Sequence, residues 1–303
     1  MVVVYMIAYG RAAKASTHSA ALTSASKPAD LPDAPISVNY FPSRKCNYTC
    51  GFCFHTETSS YVLTIPEAKR GLKLLREAGM QKLNNCRRRA LPLPSSSDRA
   101  AAIWQRRVGL REYEHLSCDS FETETNKKIG RGDDGGNVER LFKIAEWCRT
   151  YGVKFKLNTV VNAHNWNQDM VTDIECLAPF RWKVFQCLIV AGENDNEERK
   201  RDATKFLVTE EQWRTFCDKH KHLPCYVPED NASMSSSYLN LDEYMCFLDK
   251  GDGPMTKSQS ILDVGVMPAM QQVRWDKESF LERGGIYDWS KKDSKDAGKD
   301  LEW

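Results

Sequence analysis

The 303-residue sequence has little excess charge of either sign: Lys+Arg number 43 against Asp+Glu 41, a formal net charge of +2. That balance gives no whole-chain signal for nucleic acid or for an anionic membrane surface. No apolar run approaches the roughly 20 residues that a bilayer-spanning helix needs. The opening stretch Met1 to Gly10 is apolar but short. It has no basic region ahead of it, so it reads as a frayed terminus rather than a signal peptide, with interfacial anchoring as the alternative. Paired cysteine spacing of the kind that staples small secreted domains is also missing. Eleven cysteines are present, an odd count, three of them clustered and eight scattered. A chain this long, 41% hydrophobic, can bury a core without staples. The cluster therefore reads as metal-binding and the other thiols as mostly buried in a reducing compartment.

Residues 11–34 are rich in Ala, Ser, Thr and Pro and read as a flexible N-terminal extension over 1–34. Order is expected from Ile36-Ser-Val-Asn-Tyr40, a short alternating strand. After the cysteines, Thr64 and Glu67 make a capping box for a helix with Ala68, Leu72 and Leu75 on one face and Gly79 beyond its end. Met80 to Asn84 can start a second strand. Further on, the pattern gives a helix over 137–151, a strand over 153–162, a helix over 166–177, a strand from Trp182 to Ala191, and a second capping box at Thr209 and Gln212. Alternating strands and helices predict an α/β fold with parallel strands. Residues 35–230 form the expected barrel and 231–303 a C-terminal extension. Residues 85–116 show neither period, with Arg87-Arg-Arg89 and Pro92-Leu-Pro-Ser-Ser-Ser97 in place of a strand or helix.

The cluster is Cys46-Asn-Tyr-Thr-Cys50-Gly-Phe-Cys53, a C-x3-C-x2-C spacing between a first strand and a capped helix. Three thiolates on one loop can hold three irons of a [4Fe–4S] cubane. The fourth iron is then open to the amino and carboxylate groups of S-adenosylmethionine (SAM), whose cleavage would yield a 5′-deoxyadenosyl radical. Gly51 would let the loop fold tightly, and Phe52 would lie beside the adenine. The competing reading is a zinc site of the three cysteines with His55. Period two places Lys154, Lys156 and Asn158 on one strand face, and Arg181 with Lys183 on another. Cations turned into a barrel are costly unless an anion meets them; on the residues alone, solvated rim lysines are the simpler account.

Several stretches resemble the viperin family closely. They include Val38-Asn-Tyr, Cys46 through Thr56, Glu67-Ala-Lys-Arg-Gly71, Glu77-Ala-Gly-Met80, Ser117-Cys-Asp-Ser-Phe121 and Ile129-Gly-Arg-Gly132. Arg181-Trp-Lys-Val-Phe-Gln186, Gly192-Glu-Asn194, Leu241-Asp-Glu-Tyr244 and Ser260-Ile-Leu-Asp-Val-Gly265 belong with them. The resemblance covers about residues 36–84 and 117–303. It implies a partial (β/α)6 TIM-like barrel of the radical SAM type and an antiviral reaction, CTP to 3′-deoxy-3′,4′-didehydro-CTP. In that reaction the ribose 4′ hydrogen is abstracted and the 3′ hydroxyl leaves as water. It implies that Ser117 and Arg131 contact SAM, and that Asn39, Lys156, Asn158, Arg181, Lys183 and Tyr238 surround the nucleotide. It further implies a cytoplasmic enzyme, or one on the cytosolic face of the endoplasmic reticulum, whose terminal Trp303 engages the cytosolic iron–sulfur assembly machinery. A radical SAM enzyme on another nucleoside triphosphate and a catalytically impaired viperin-like interaction protein are the alternatives.

One departure stands out. The family has a Gly-Gly-Glu-Pro turn after the second strand, where this chain has Asn85-Cys-Arg-Arg-Arg-Ala-Leu-Pro92. Cys86 to Leu93 can be encoded as TGC CGG CGG CGA GCC CTT CCT C. Read one base later, this gives Ala-Gly-Gly-Glu-Pro-Phe-Leu. We read residues 85 to about 112 as translated out of frame, with the return near Glu112-Tyr-Glu-His-Leu116, and expect the tip of the second strand and the third strand to be lost or replaced.

Overall fold

The computed structural model describes residues 34–46, 48–56, 58–85, 113–132, 136–190, 192–249 and 257–286. The expected N-terminal extension (save Ala34), residues 86–112 of the aberrant segment 85–116, and Trp303 lie outside these residues.

The first strand, β1 (Ser37–Tyr40), runs into the cysteine loop and then α1 (Ile65–Glu77). The capping box forms as expected: the Thr64 side chain accepts from the Glu67 amide, and the Glu67 side chain accepts from the Thr64 amide. Gly71 and Leu75 face inward. A Cβ on Gly71 would stand 2.8 Å from Met245 Cε, so a larger residue here would have to push the Met245 side chain aside. Then comes β2 (Lys82–Asn85), paired in parallel with β1.

Residues Tyr113–Ser117, where the reading frame is expected to return, form β3, hydrogen-bonded in parallel to β4 (Lys154–Val161), while the expected loss of a strand falls on 86–112, outside the described residues. Between them lie α2 (Thr123–Ile129) and α3 (Asn137–Thr150). Next come α4 (Val171–Leu177), β5 (Arg181–Gln186), α5 (Glu210–His220) and β6 (Tyr226–Glu229). The second capping box also forms, at Thr209 and Gln212. The helix α4 starts five residues later than its apolar period predicts. Asn165 accepts from the Asn162 amide and donates to the Val160 and Asp119 carbonyls, so the chain before it is a side-chain-stapled turn.

The chain closes with α6 (Asn231–Ser237), β7 (Leu239–Leu241), β8 (Cys246–Leu248), β9 (Lys257–Ser260), α7 (Ile261–Val264), α8 (Val266–Met270) and α9 (Lys277–Glu282). Strands β3-β4-β5-β6 make one parallel sheet; the other has the order β2-β1-β7-β8-β9, with β7 parallel to β1 and the last two strands antiparallel. Parallel strands β1–β2 and β3–β6, with helices after β1, β3, β4 and β5, fit the architecture of a partial (β/α)6 barrel.

One core packs α3, α4 and α5 on the β3–β6 sheet around Trp182, Phe216 and Leu157. A second joins α1 to the other sheet through Leu75, Val38, Leu241 and Phe247. A third, smaller cluster holds Cys50 and Phe52 with Ile129, Cys187 and Ala203, directly under the cysteine loop.

Candidate active site

The cysteine loop leaves the carboxyl end of β1, the end where barrel enzymes carry their chemistry. Its middle is pinned to the end of α2: the Thr49 amide donates to the Gly130 carbonyl at 2.9 Å and the Gly51 amide to Ile129 at 3.0 Å. Gly130 has φ +84, and a Cβ there would stand 2.5 Å from the Thr49 carbonyl oxygen. The close approach of loop and helix end is thus built on that glycine. Gly51 sits in the expected tight turn, where the Cys53 amide donates to the Cys50 carbonyl at 3.2 Å, and a Cβ on it would lie 2.2 Å from the Phe206 ring. Phe52 packs edge-on against the same ring at 5.9 Å.

Cys50 is buried and Cys46 and Cys53 are half-buried, all three as free thiols. Burial pushes the Cys50 thiol up to about 11, against the pull of nearby Arg131; the charges of Asp119, Cys53 and Cys46 add to the rise. The three sulfurs are therefore within electrostatic reach of one another. Among the described residues no three His, Cys, Asp or Glu side chains stand close enough to share one metal ion. His55, the fourth ligand of a zinc reading, packs on Phe41 with ring centroids 4.6 Å apart, its Nε2 3.9 Å from Glu243. A cubane asks less convergence, since each cysteine meets its own iron. Three cysteine thiols on one loop match that group, one thiolate to each of three irons.

Ser117 ends β3, beside Asn158 of β4. Arg131 is paired at 2.5 Å with Asp119, which is fully buried and also accepts from the Val160 amide. Its guanidinium lies 5.4 Å from the Tyr48 ring centroid, so it bridges the β3 end and the cysteine loop. Burial opposes the Arg131 charge, but Asp119 leads the groups that outweigh it, and its pKa is raised. Asp119 is a residue that the sequence reading passed over.

A cleft of about 510 Å³, counting its open mouth, is lined by Ser37, Asn39, Lys82, Asn84, Lys156, Asn158, Lys183, Phe185, Tyr238, Phe280, Arg283 and Gly285. Strand alternation explains the set. Register pairs Ser37 with Lys82 and Asn39 with Asn84 in one sheet, and Asn158 with Lys183 in the other. Every second residue of β1, β2, β4 and β5 thus faces the same space. Of the residues expected around a nucleotide, Asn39, Lys156, Asn158, Lys183 and Tyr238 line this cleft. Arg181 is not among the lining residues; it donates to the Gly284 carbonyl at 3.3 Å, supporting the turn that carries Arg283. Lys154 lies apart, over the Phe180 ring at 4.8 Å.

Amides form a relay at one side: Asn84 donates to Asn39 at 2.8 Å, and Asn39 to Asn240 at 3.0 Å. On the other side Glu229 accepts from both Lys183 and Tyr238, with Arg283 3.7 Å away and stacked 3.8 Å from the Tyr238 ring centroid. Burial pushes Lys183 well below its usual pKa, with Lys156 and Arg283 adding to the push and Glu229 opposing it. Burial works to raise Glu229, yet Lys183 and Arg283 outweigh it and its pKa is lowered. Burial, then Lys156, Arg181 and Arg283, bring Lys82 down to about 7. Lys82 was legible by the same period-two rule that singled out Lys156. Glu229 and Arg283 carry no local sequence signal.

A partial parallel barrel with a C-x3-C-x2-C loop at the carboxyl end of its first strand defines a radical SAM enzyme. Two solved structures share the fold. They are SuiB of Streptococcus suis bound to S-adenosylmethionine (TM-score 0.52, 14% identity, 78% of this chain and 67% of that one) and native anSMEcpe with bound AdoMet (TM-score 0.52, 12% identity, 81% and 84%). No family model matches the chain. Curated relatives are far more similar: the S-adenosylmethionine-dependent nucleotide dehydratases RSAD2 of Danio rerio and Oncorhynchus mykiss are each 45% identical over 296 residues, 89% of this chain and 81% and 83% of theirs. A bacterial enzyme of the same name, from Lacinutrix mariniflava, is 30% identical over 87% of this chain and 61% of its own length. The chain belongs to the S-adenosylmethionine-dependent nucleotide dehydratases, the viperin family. Among the described residues, no helix is long and apolar enough to cross a membrane.

Proposed function

We propose that this chain dehydrates CTP to 3′-deoxy-3′,4′-didehydro-CTP, with loss of the ribose 4′ hydrogen and the 3′ hydroxyl, as an antiviral enzyme. The observation that carries the reading is the convergence of Lys82, Lys156, Lys183 and Arg283 in one cleft. The mutual repulsion of buried cations is costly, and a triphosphate in the cleft would relieve it. Arginine and lysine suit that ligand by fork and by point charge respectively. The Asn84–Asn39–Asn240 relay offers amide donors and acceptors to ribose or base at the other side. Glu229 holds Lys183 and Tyr238 in place, and Arg181 holds the turn below Arg283.

Cys46, Cys50 and Cys53 would hold the [4Fe–4S] cluster, with Phe52, Ser117 and Arg131 around SAM. The cluster and SAM together supply a 5′-deoxyadenosyl radical able to take hydrogen from an unactivated carbon. The chain's own part is to orient the nucleotide, exclude water and present Lys183 and Tyr238 beside it. A cytosolic setting, with the iron–sulfur assembly machinery engaged through Trp303, belongs to the same reading.

Anaerobic reconstitution tests it. Iron-loaded protein should form 5′-deoxyadenosine with CTP and not with other nucleoside triphosphates. Turnover with UTP or a purine triphosphate instead would replace CTP as the substrate. The absence of Gly-Gly-Glu-Pro favours a second reading, a chain that binds iron but cleaves SAM poorly; iron uptake without 5′-deoxyadenosine would select it.

A further inference from the structure

Two stretches that resemble the viperin family, Gly192-Glu-Asn194 and Leu241-Asp-Glu-Tyr244, have no part in the chemistry above. In the fold they meet at the cysteine loop. Arg44 stands two residues ahead of Cys46 and is buried. Its two terminal nitrogens donate side by side to the two carboxylate oxygens of Glu193, at 2.8 and 2.9 Å. Its Nε donates to Glu243 at 2.8 Å, and Nη1 also reaches the Thr56 carbonyl at 3.5 Å. One guanidinium therefore ties the entry of the loop to its exit and to two outside segments.

The neighbouring residue grips the loop from below. Asn194 is fully buried; its Nδ2 donates to the Phe52 carbonyl at 2.8 Å and to Leu188 at 3.2 Å, while its Oδ1 accepts from the Val190 amide at 2.8 Å. The turn that presents both residues follows β5, with Gly192 at φ +79 and the Glu193 and Asn194 amides both donating to the Val190 carbonyl. Glu243 comes from the β7–β8 turn, where Asp242 accepts from the Tyr244 and Cys246 amides.

We propose that Glu193, Asn194 and Glu243 are positioning residues that act through Arg44 and Phe52 to hold the cysteine loop in the shape its cluster needs before any iron arrives. The inference rests on the three-cysteine cluster reading. Bidentate Arg–carboxylate contacts fix direction as well as distance, whereas the middle of the loop is held to the α2 end by lone bonds from the Thr49 and Gly51 amides, the Thr49 hydroxyl and Cys50 Sγ. With the clamp released, the loop should open locally while the large cores stay closed.

The experiment reads thiol protection in the iron-free full-length chain. Alkylation of each cysteine is followed by peptide mass spectrometry, with Cys148, buried in the main core, as the internal reference. Glu193→Gln should speed alkylation of Cys50 by about tenfold or more, since it breaks a buried charge pair, and leave Cys148 at its wild-type rate. Glu193→Asp should restore much of the protection. After reconstitution, the Gln variant should hold less iron and give a broadened cluster EPR signal. Unchanged Cys50 protection overturns the clamp, and so does an equal rise at Cys50 and Cys148, which marks global loosening. If Glu193→Gln fails to fold, Asn194→Ala, which removes no charge, is read by the same two rates. Failure of the cluster reading is a separate result: wild-type protein that takes up no iron.

Discussion

Lys82 is buried between Lys156, Arg181 and Arg283, and its pKa falls to about 7. Below pH 7 it is charged in both folded and unfolded chains, and the cost of burying that charge is fully present. Between about 7 and its ordinary 10.5, the unfolded chain keeps the proton and the folded chain sheds it, so stability rises with pH. Lys82→Met should therefore raise the melting temperature more at pH 6 than at pH 9; equal shifts at the two values would contradict the burial cost. The same substitution should weaken triphosphate binding by about tenfold at pH 6, as expected for losing one charge-assisted contact, measured by calorimetry with a nonreacting nucleotide. At this scale the sequence was partly transparent. Cys46, Cys50 and Cys53 announce themselves by spacing, and Lys156 and Asn158 by alternation. Asp119, Glu229 and Arg283 do not, because each matters only through a partner far along the chain, as Glu229 does with Lys183 46 residues before it.

At the scale of elements, local signals predicted what local physics controls. Both capping boxes form where Thr64, Glu67, Thr209 and Gln212 called for them. Thr64→Ala should cost about 1 kcal/mol by urea unfolding. Strand β3 was missed because its neighbours in sequence carry no period, and because its pairing with β4 decides its conformation. The start of α4 was misplaced since apolar spacing does not register a turn tied by Asn162 and Asn165. The α2 end offers the sharpest element-level test. Gly130→Ala would place a methyl group in the left-handed region and against the Thr49 carbonyl. It should destabilise the fold by about 1–3 kcal/mol and lower iron uptake. Wild-type iron content in that variant would show that the loop does not depend on this contact.

For the molecule as a whole, the alternation of strands and helices was enough to give a parallel α/β barrel. The division into two sheets was not, because it depends on which strands pair. The cleft draws Asn39 and Lys82 from one sheet and Lys156 and Lys183 from the other, so its formation requires both. Replacing Cys86 to Leu93 with Ala-Gly-Gly-Glu-Pro-Phe-Leu should raise 5′-deoxyadenosine formation at least about tenfold, the scale of a gain in cofactor positioning. Chromatography of quenched anaerobic reactions would measure it, and an unchanged rate would show that the missing Gly-Gly-Glu-Pro turn does not limit SAM cleavage.

Strand β1 lies between β2 and β7, and the Asn39–Asn240 contact beside that seam joins residues 201 apart. A nascent chain therefore carries the first described strand with one flank bare until Leu239–Leu241 has been made, about 200 residues later. Bare flanks recruit strangers, and late closure of distant contacts is slow. The growing polypeptide thus presents its thiol-bearing loop and an unfinished seam together, and a chaperone or metal donor acting during synthesis would meet both at once.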